Sequence, residues 1–237
     1  MKWSWYGAAL LGACGLASAQ TTALGNGADS TTASAQSSPY TDGETGITFQ
    51  RYTTPNNISY AVALPLTANG SAAFDVVFQI TAPASLGWVG WSWGGNMTYS
   101  PLTVAWPNGN SVTLSSRWTI KYALPVIYND ANYTILEKGT EANADYFKLT
   151  GVCTGCSVWL NDQGYDVFLN GAGNVNMAFA WSSEAVDQPA NISSTFTKHD
   201  GVGHWVHDLA NARTGSYGTY ISNNLPTPAP VAPSTAS

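Results

Sequence analysis

FDVVFQI, residues 74–80, places Phe74, Val76, Phe78 and Ile80 at every second position. Side chains alternate between the two faces of a β-strand, so a period of two predicts a strand with one buried face. VNMAFAW, residues 175–181, repeats the pattern through Val175, Met177, Phe179 and Trp181. Shorter apolar runs at residues 103–106, 119–127 and 146–152 are separated by the turn signals Pro107-Asn108-Gly109, Asn161-Asp162 and Asn170-Gly171. No apolar repeat near 3.6 is long enough for a core helix, and only residues 205–213 offer a short one. The expected fold is therefore all-β, an antiparallel β-sandwich.

The ends of the chain differ from this centre. Lys2, an apolar stretch at residues 8–16 and Ala17-Ser18-Ala19 ahead of Gln20 read as an export leader spanning residues 1–19. That stretch is too short to cross a bilayer, and no later one reaches the roughly 18 apolar residues required. Residues 20–39 form a Ser/Thr-rich lead-in expected to be disordered, and residues 225–237 (LPTPAPVAPSTAS) a Pro/Ala/Thr linker or tail. One domain, residues 40–224, remains.

Charged residues make up only 9% of the chain, and the formal net charge is −6. Nucleic acid and anionic membranes need clustered Lys and Arg, so this composition excludes both as partners. Five Asn-x-Ser/Thr sequons, at Asn57, Asn69, Asn96, Asn132 and Asn191, suit an exported and glycosylated protein. Cys14 leaves with the leader, and the even pair left in an oxidising compartment, Cys153 and Cys156, is read as a disulfide. No helix pattern follows Cys153, as a thioredoxin-like site would need, and no second pair completes a zinc site. Ser157, not His, follows the second Cys, so this is not a covalent haem anchor.

Few residues remain for metal or cofactor chemistry. Met177 lies in phase with its apolar neighbours and reads as core. Met97 ends a glycine-rich loop, GWVGWSWGGNM, where it either fills a gap or projects its thioether into a cleft. His199, His204 and His207 lie within nine residues; each is a surface group, a member of a zinc or copper cluster, or a ligand of something larger. No G-x-S-x-G elbow is present, no carboxylate pair stands out, and Gly171-Ala-Gly173 lacks the strand–turn–helix setting of a dinucleotide loop.

Three segments resemble the haem b cytochrome domain of fungal cellobiose dehydrogenases. They are TDGETGITF (residues 41–49), GWVGWSWGGNMTYSPLTVAWPNGNSVTLSSRWTIKY (87–122) and KHDGVGHWVHDLANAR (198–213). The resemblance implies an immunoglobulin-like, DOMON-type sandwich with non-covalent haem b at one end. It places the axial iron ligands on Met97 and His199, with His204 and His207 as alternative histidines. A propionate contact falls on Tyr122, with Arg117 beside it, and the family disulfide on Cys153 and Cys156. Trp88, Trp91, Trp93, Tyr99 and Trp106 become candidate walls of the cleft. The implied function is electron transfer without catalysis, by a monomer. Single electrons would come from a flavin dehydrogenase and pass to a lytic polysaccharide monooxygenase in cellulose breakdown. A haem-free carbohydrate-binding sandwich is the alternative; it has no use for a Met97–His199 pair.

Overall fold

The computed structural model describes residues 34–225. The leader, Cys14 and the tail after residue 225 lie outside the described residues, as does most of the lead-in. In chain order the strands are β1 (Ser38–Thr41), β2 (Thr48–Thr53), β3 (Ser59–Pro65), β4 (Val76–Pro83), β5 (Trp88–Ser92), β6 (Leu102–Asn108), β7 (Ser111–Trp118) and β8 (Val126–Ile127). Then follow β9 (Asn132–Ile135), β10 (Glu141–Ala142), β11 (Tyr146–Thr154), β12 (Val158–Leu160), β13 (Asp166–Phe168), β14 (Asn174–Ser182), β15 (Gly201–Asp208) and β16 (Arg213–Thr214), before helix α1 (Tyr217–Asn224). The first sheet runs β1-β2-β3-β4-β11-β10, with β9 added on β11 and β16 on β3; the second runs β15-β14-β5-β6-β7-β8. All pairings are antiparallel except that of β16 with β3.

The period of two sets what faces inward. Val76, Phe78 and Ile80 from the first sheet meet Trp91, Trp93, Val175, Met177 and Trp205 from the second in one core. Trp91 and Trp93 stack with centroids 4.2 Å apart, and Tyr60 lies nearly parallel to Trp205 at 5.1 Å. Such aromatic pairs add about 0.5–1.5 kcal/mol each beyond burial. Cys153 and Cys156 are joined by a disulfide, with Cα atoms 5.8 Å apart, at the end of β11.

Two expectations about local structure are corrected. Residues 205–213 do not form a helix: Trp205 and His207 point into the core from β15, whose backbone is paired with β14. A free sheet edge there outweighs a weak helical pattern. The helix lies later, where Tyr217, Tyr220 and Ile221 cover Phe49, Ala61, Ala63 and Val77 on the outer face of the first sheet. The apolar run at residues 119–127 is mostly loop, with only Val126–Ile127 paired, to β7. Its residues Ile120, Tyr122, Leu124 and Val126 are exposed.

Candidate cofactor site

The face of the second sheet turned away from the core is built for a ligand. Register puts Gly90 beside Ala180 and Val104, and Ser92 beside Ala178 and Leu102. Ala178 and Ala180 lie in turn beside His204 and Val202. These are the alternate positions of the same strands whose other residues make the core. Small residues thus form a floor, and Trp88, Leu102, Val104 and Phe196 stand around it. Loops near residues 95–97, 122–125 and 196–199 rise over that floor and leave a cleft of about 750 Å³. The cleft lies on the outer face of the sheet, whereas the expectation put the cofactor at one end of the sandwich.

The loop carrying Met97 is pinned from three sides. Ser92 Oγ donates to Asn96 O at 2.6 Å, the Gly94 N–H donates to Ser100 Oγ at 2.8 Å, and His204 Nε2 lies 3.0 Å from Gly95 O. Gly95 has φ +77°, a conformation that glycine adopts without strain. The segment carrying His199 is fixed by its neighbour. The Asp200 N–H donates to Trp181 O at 2.8 Å, and its carboxylate accepts from the Ser183 N–H and Oγ, each at 2.7 Å. The Ser183 backbone bond, followed by its hydroxyl, holds the Asp200 carboxyl below its usual pKa. Gly201 and Gly203 let β15 lie against aromatic faces: a Cβ on Gly203 would come within 2.5 Å of Phe179 Cζ.

Met97 and His199 therefore both line the cleft, as do Tyr122 and Trp88. Tyr122 is 88% exposed at the lip. Of the other candidate walls, Trp91 reaches the cleft, while Trp93 and Trp106 are fully buried and do not line it. Tyr99 is not a lining residue either; it stands edge-on to Trp118. The expectation that Arg117 meets a propionate is corrected as well, because its guanidinium is spent on Ser115 Oγ and three backbone carbonyls.

The three histidines separate. His204 and His207 are three residues apart on one strand, so they point to opposite faces. His204 lines the cleft, while His207 is buried in the core with Nδ1 accepting from Trp205 Nε1 at 2.8 Å. Desolvation pushes the His207 pKa down to about 3. Among the described residues no group of three His, Cys, Asp or Glu side chains is placed to hold a metal ion. The zinc alternative thus loses its ligands, and His207 its place as an alternative axial ligand.

The cleft fits a large flat apolar group. A Cβ on Gly90 would stand 3.4 Å from Trp88 Cζ3, on the floor itself, so the bare glycine keeps that surface flat. No Asp or Glu lines the cleft. The Met97 thioether lines it together with the imidazoles of His199 and His204, and a thioether paired with an imidazole is a donor set that haem iron takes. The floor was missed in the sequence, although it was written there: Ala178 and Ala180 alternate with Met177, Phe179 and Trp181. Phe196, Val202 and Pro125 carried no such pattern.

Comparison with known proteins agrees with this fold. The family described as the cytochrome domain of cellobiose dehydrogenase matches residues 40–219. A curated relative, the pyrroloquinoline quinone-dependent pyranose dehydrogenase of Coprinopsis cinerea, is 32% identical over 200 residues, which cover 80% of this chain and 26% of that protein. The chain thus spans about a quarter of the length of that relative. The crystal structure of the cytochrome b domain of Coprinopsis cinerea pyranose dehydrogenase superposes with a TM-score of 0.72 at 29% identity, covering 82% of this chain and 98% of that one. The cytochrome domain of Myriococcum thermophilum cellobiose dehydrogenase gives 0.71 at 26% identity, covering 82% and 99%. With that family matched over residues 40–219 and the antiparallel sandwich shared with both solved structures, this chain belongs to the family of cytochrome domains of cellobiose dehydrogenase.

Proposed function

We propose that this chain is an exported haem b domain that carries single electrons and catalyses no reaction alone. The observation that carries the reading is that Met97 and His199, about a hundred residues apart in the chain, line one apolar cleft. Met97 Sδ and an imidazole nitrogen of His199 would hold the iron. Haem so ligated supplies a one-electron couple, with a potential raised by the thioether relative to two histidines.

The remaining work belongs to the protein. Trp88, Leu102, Val104 and Phe196 exclude water from the cleft, which lowers the reorganisation accompanying a change of charge. The hydrogen bonds of Ser92, Ser100 and His204 hold the Met97 loop in place, and Asp200 does the same for His199. Tyr122 offers an exposed hydroxyl to the carboxylates that a porphyrin carries. With Met97 and His199 both holding the iron, no position would be left for substrate, and the group would supply electron exchange alone.

The donor is a dehydrogenase. The flavin enzyme implied by the resemblance fits this role, and so does a quinone enzyme like the Coprinopsis relative. The acceptor we favour is a lytic polysaccharide monooxygenase, with cellulose breakdown as the setting. The export leader and sequons support an extracellular location, and the domain acts as a monomer.

The test is an absorption spectrum of the purified protein, oxidised and dithionite-reduced, beside Met97→Ala and His199→Ala. The wild type should give a sharp Soret band that shifts on reduction, with resolved α and β bands. Each variant should lose the low-spin signature. Variants that fold and keep an unchanged low-spin spectrum would overturn the ligand assignment. A wild type that stays colourless after haem is supplied would overturn the cofactor, and cellulose binding would then decide for the carbohydrate-binding alternative.

A further inference from the structure

Among the described residues, Arg117 is a buried cation with no counter-ion. It sits on β7 opposite Leu102, and only 3% of it is exposed. Its Nε donates to Ser115 Oγ at 2.6 Å and its Nη1 to Pro125 O at 3.1 Å. Its Nη2 donates to Ile192 O at 2.8 Å and to Ser194 O at 2.6 Å. The Phe196 ring centre lies 5.1 Å from its Cζ. Among the described residues the ion pairs involve Lys148 only. A charge this deep normally demands an anion or a full set of charge-assisted hydrogen bonds. Here carbonyl oxygens from two separate loops supply them.

Those loops are the flanks of the cleft. Pro125 closes the 119–125 loop, which carries Tyr122. Ile192 and Ser194 lead into the segment that carries Phe196 and His199. Among the described residues no other side chain is hydrogen-bonded to both flanks: Ser115 Oγ, which donates to Ile192 O at 2.6 Å, reaches only one of them.

We propose that Arg117 is the positioning residue of the cleft, fastening the Tyr122 loop to the His199 segment while leaving its positive charge un-neutralised against the wall they share. Two consequences follow. Without the fork both flanks loosen, whether or not the cleft is filled. Without the charge an electron added in the cleft loses a favourable field, so the cofactor becomes harder to reduce. The second consequence rests on the haem reading above; the first does not.

The test compares the whole chain with Arg117→Lys and Arg117→Gln, by hydrogen exchange and by potentiometry of the haem-loaded protein. In Arg117→Gln, exchange at residues 120–126 and 192–199 should quicken by about tenfold or more, the scale of lost charge-assisted bonds. Exchange in the first sheet should not change. The midpoint potential should fall in Arg117→Gln and stay near wild type in Arg117→Lys, which keeps the charge but loses the fork. Unchanged exchange in both segments would overturn the clamp, and an unchanged potential in Arg117→Gln would overturn the electrostatic role. If Arg117→Gln does not fold, faster exchange in the same two segments of Arg117→Lys supports the clamp, and wild-type exchange there overturns it. A wild type that takes no haem refutes the cofactor reading, and the exchange data still decide the clamp.

Discussion

Gly90 shows how one residue decides whether the cleft is a site. Its position on the outward face would place a side chain directly on the floor, 3.4 Å from Trp88 and 3.9 Å from Ala180. A Cβ there meets ordinary contacts, so Gly90→Val should fold, with stability within about 1 kcal/mol of wild type. The extra methyl groups project where a flat ligand must lie. Overpacking costs of about 1–3 kcal/mol predict haem affinity reduced roughly tenfold or more. Haem titration followed at the Soret band, with far-ultraviolet circular dichroism as the control for folding, checks both halves.

At the scale of an element, β15 is an edge strand that must lie close to β14 and still deliver His199 at one end. Its glycines make that possible. A Cβ on Gly203 would fall 2.5 Å from Phe179 Cζ and 2.6 Å from its Cε1, inside any tolerable contact. Gly203→Ala should therefore push Phe179, which itself lines the cleft, and cost about 1–3 kcal/mol. Urea unfolding should show the loss, and the low-spin spectrum should broaden as His199 is displaced. A variant as stable as wild type would mean that Phe179 turns aside freely. The 119–125 loop shows the opposite case. Its apolar residues predicted a strand, but they ring a cleft instead, because a binding surface also needs exposed apolar groups.

At the scale of the whole molecule, acid sensitivity has an identifiable source in the core. In the unfolded chain His207 takes up a proton near its ordinary 6.5; in the folded protein desolvation delays this to about 3. Between those values the unfolded state binds more protons, so stability falls as pH drops through this window, by up to a few kcal/mol. Above pH 6.5 the residue contributes no pH dependence. Thermal unfolding between pH 7 and pH 4 should show a smaller fall in Tm for His207→Gln than for wild type. Equal slopes would assign the acid sensitivity to carboxylates such as Asp42, whose pKa is lowered: burial raises it, but its bonds from Thr45 and the nearby Lys148 outweigh that.

The β class was legible in the order of residues, because a period of two in Phe74–Ile80 and Val175–Trp181 is the period of a strand with one buried face. The same order also singled out Met97 and His199, through a glycine-rich loop and a resemblance carried by whole motifs. The rest came from contacts between segments distant in the chain. Which outward positions form the cleft floor depends on register between strands far apart in the chain, and register is not local information. The burial of His207 and the exposure of His204 follow from the strand to which residues 201–208 are bound. The role of Arg117 depends on carbonyls of residues 125, 192 and 194, which no spacing rule could bring together. Period is set by neighbours along the chain, whereas a site is set by neighbours in space.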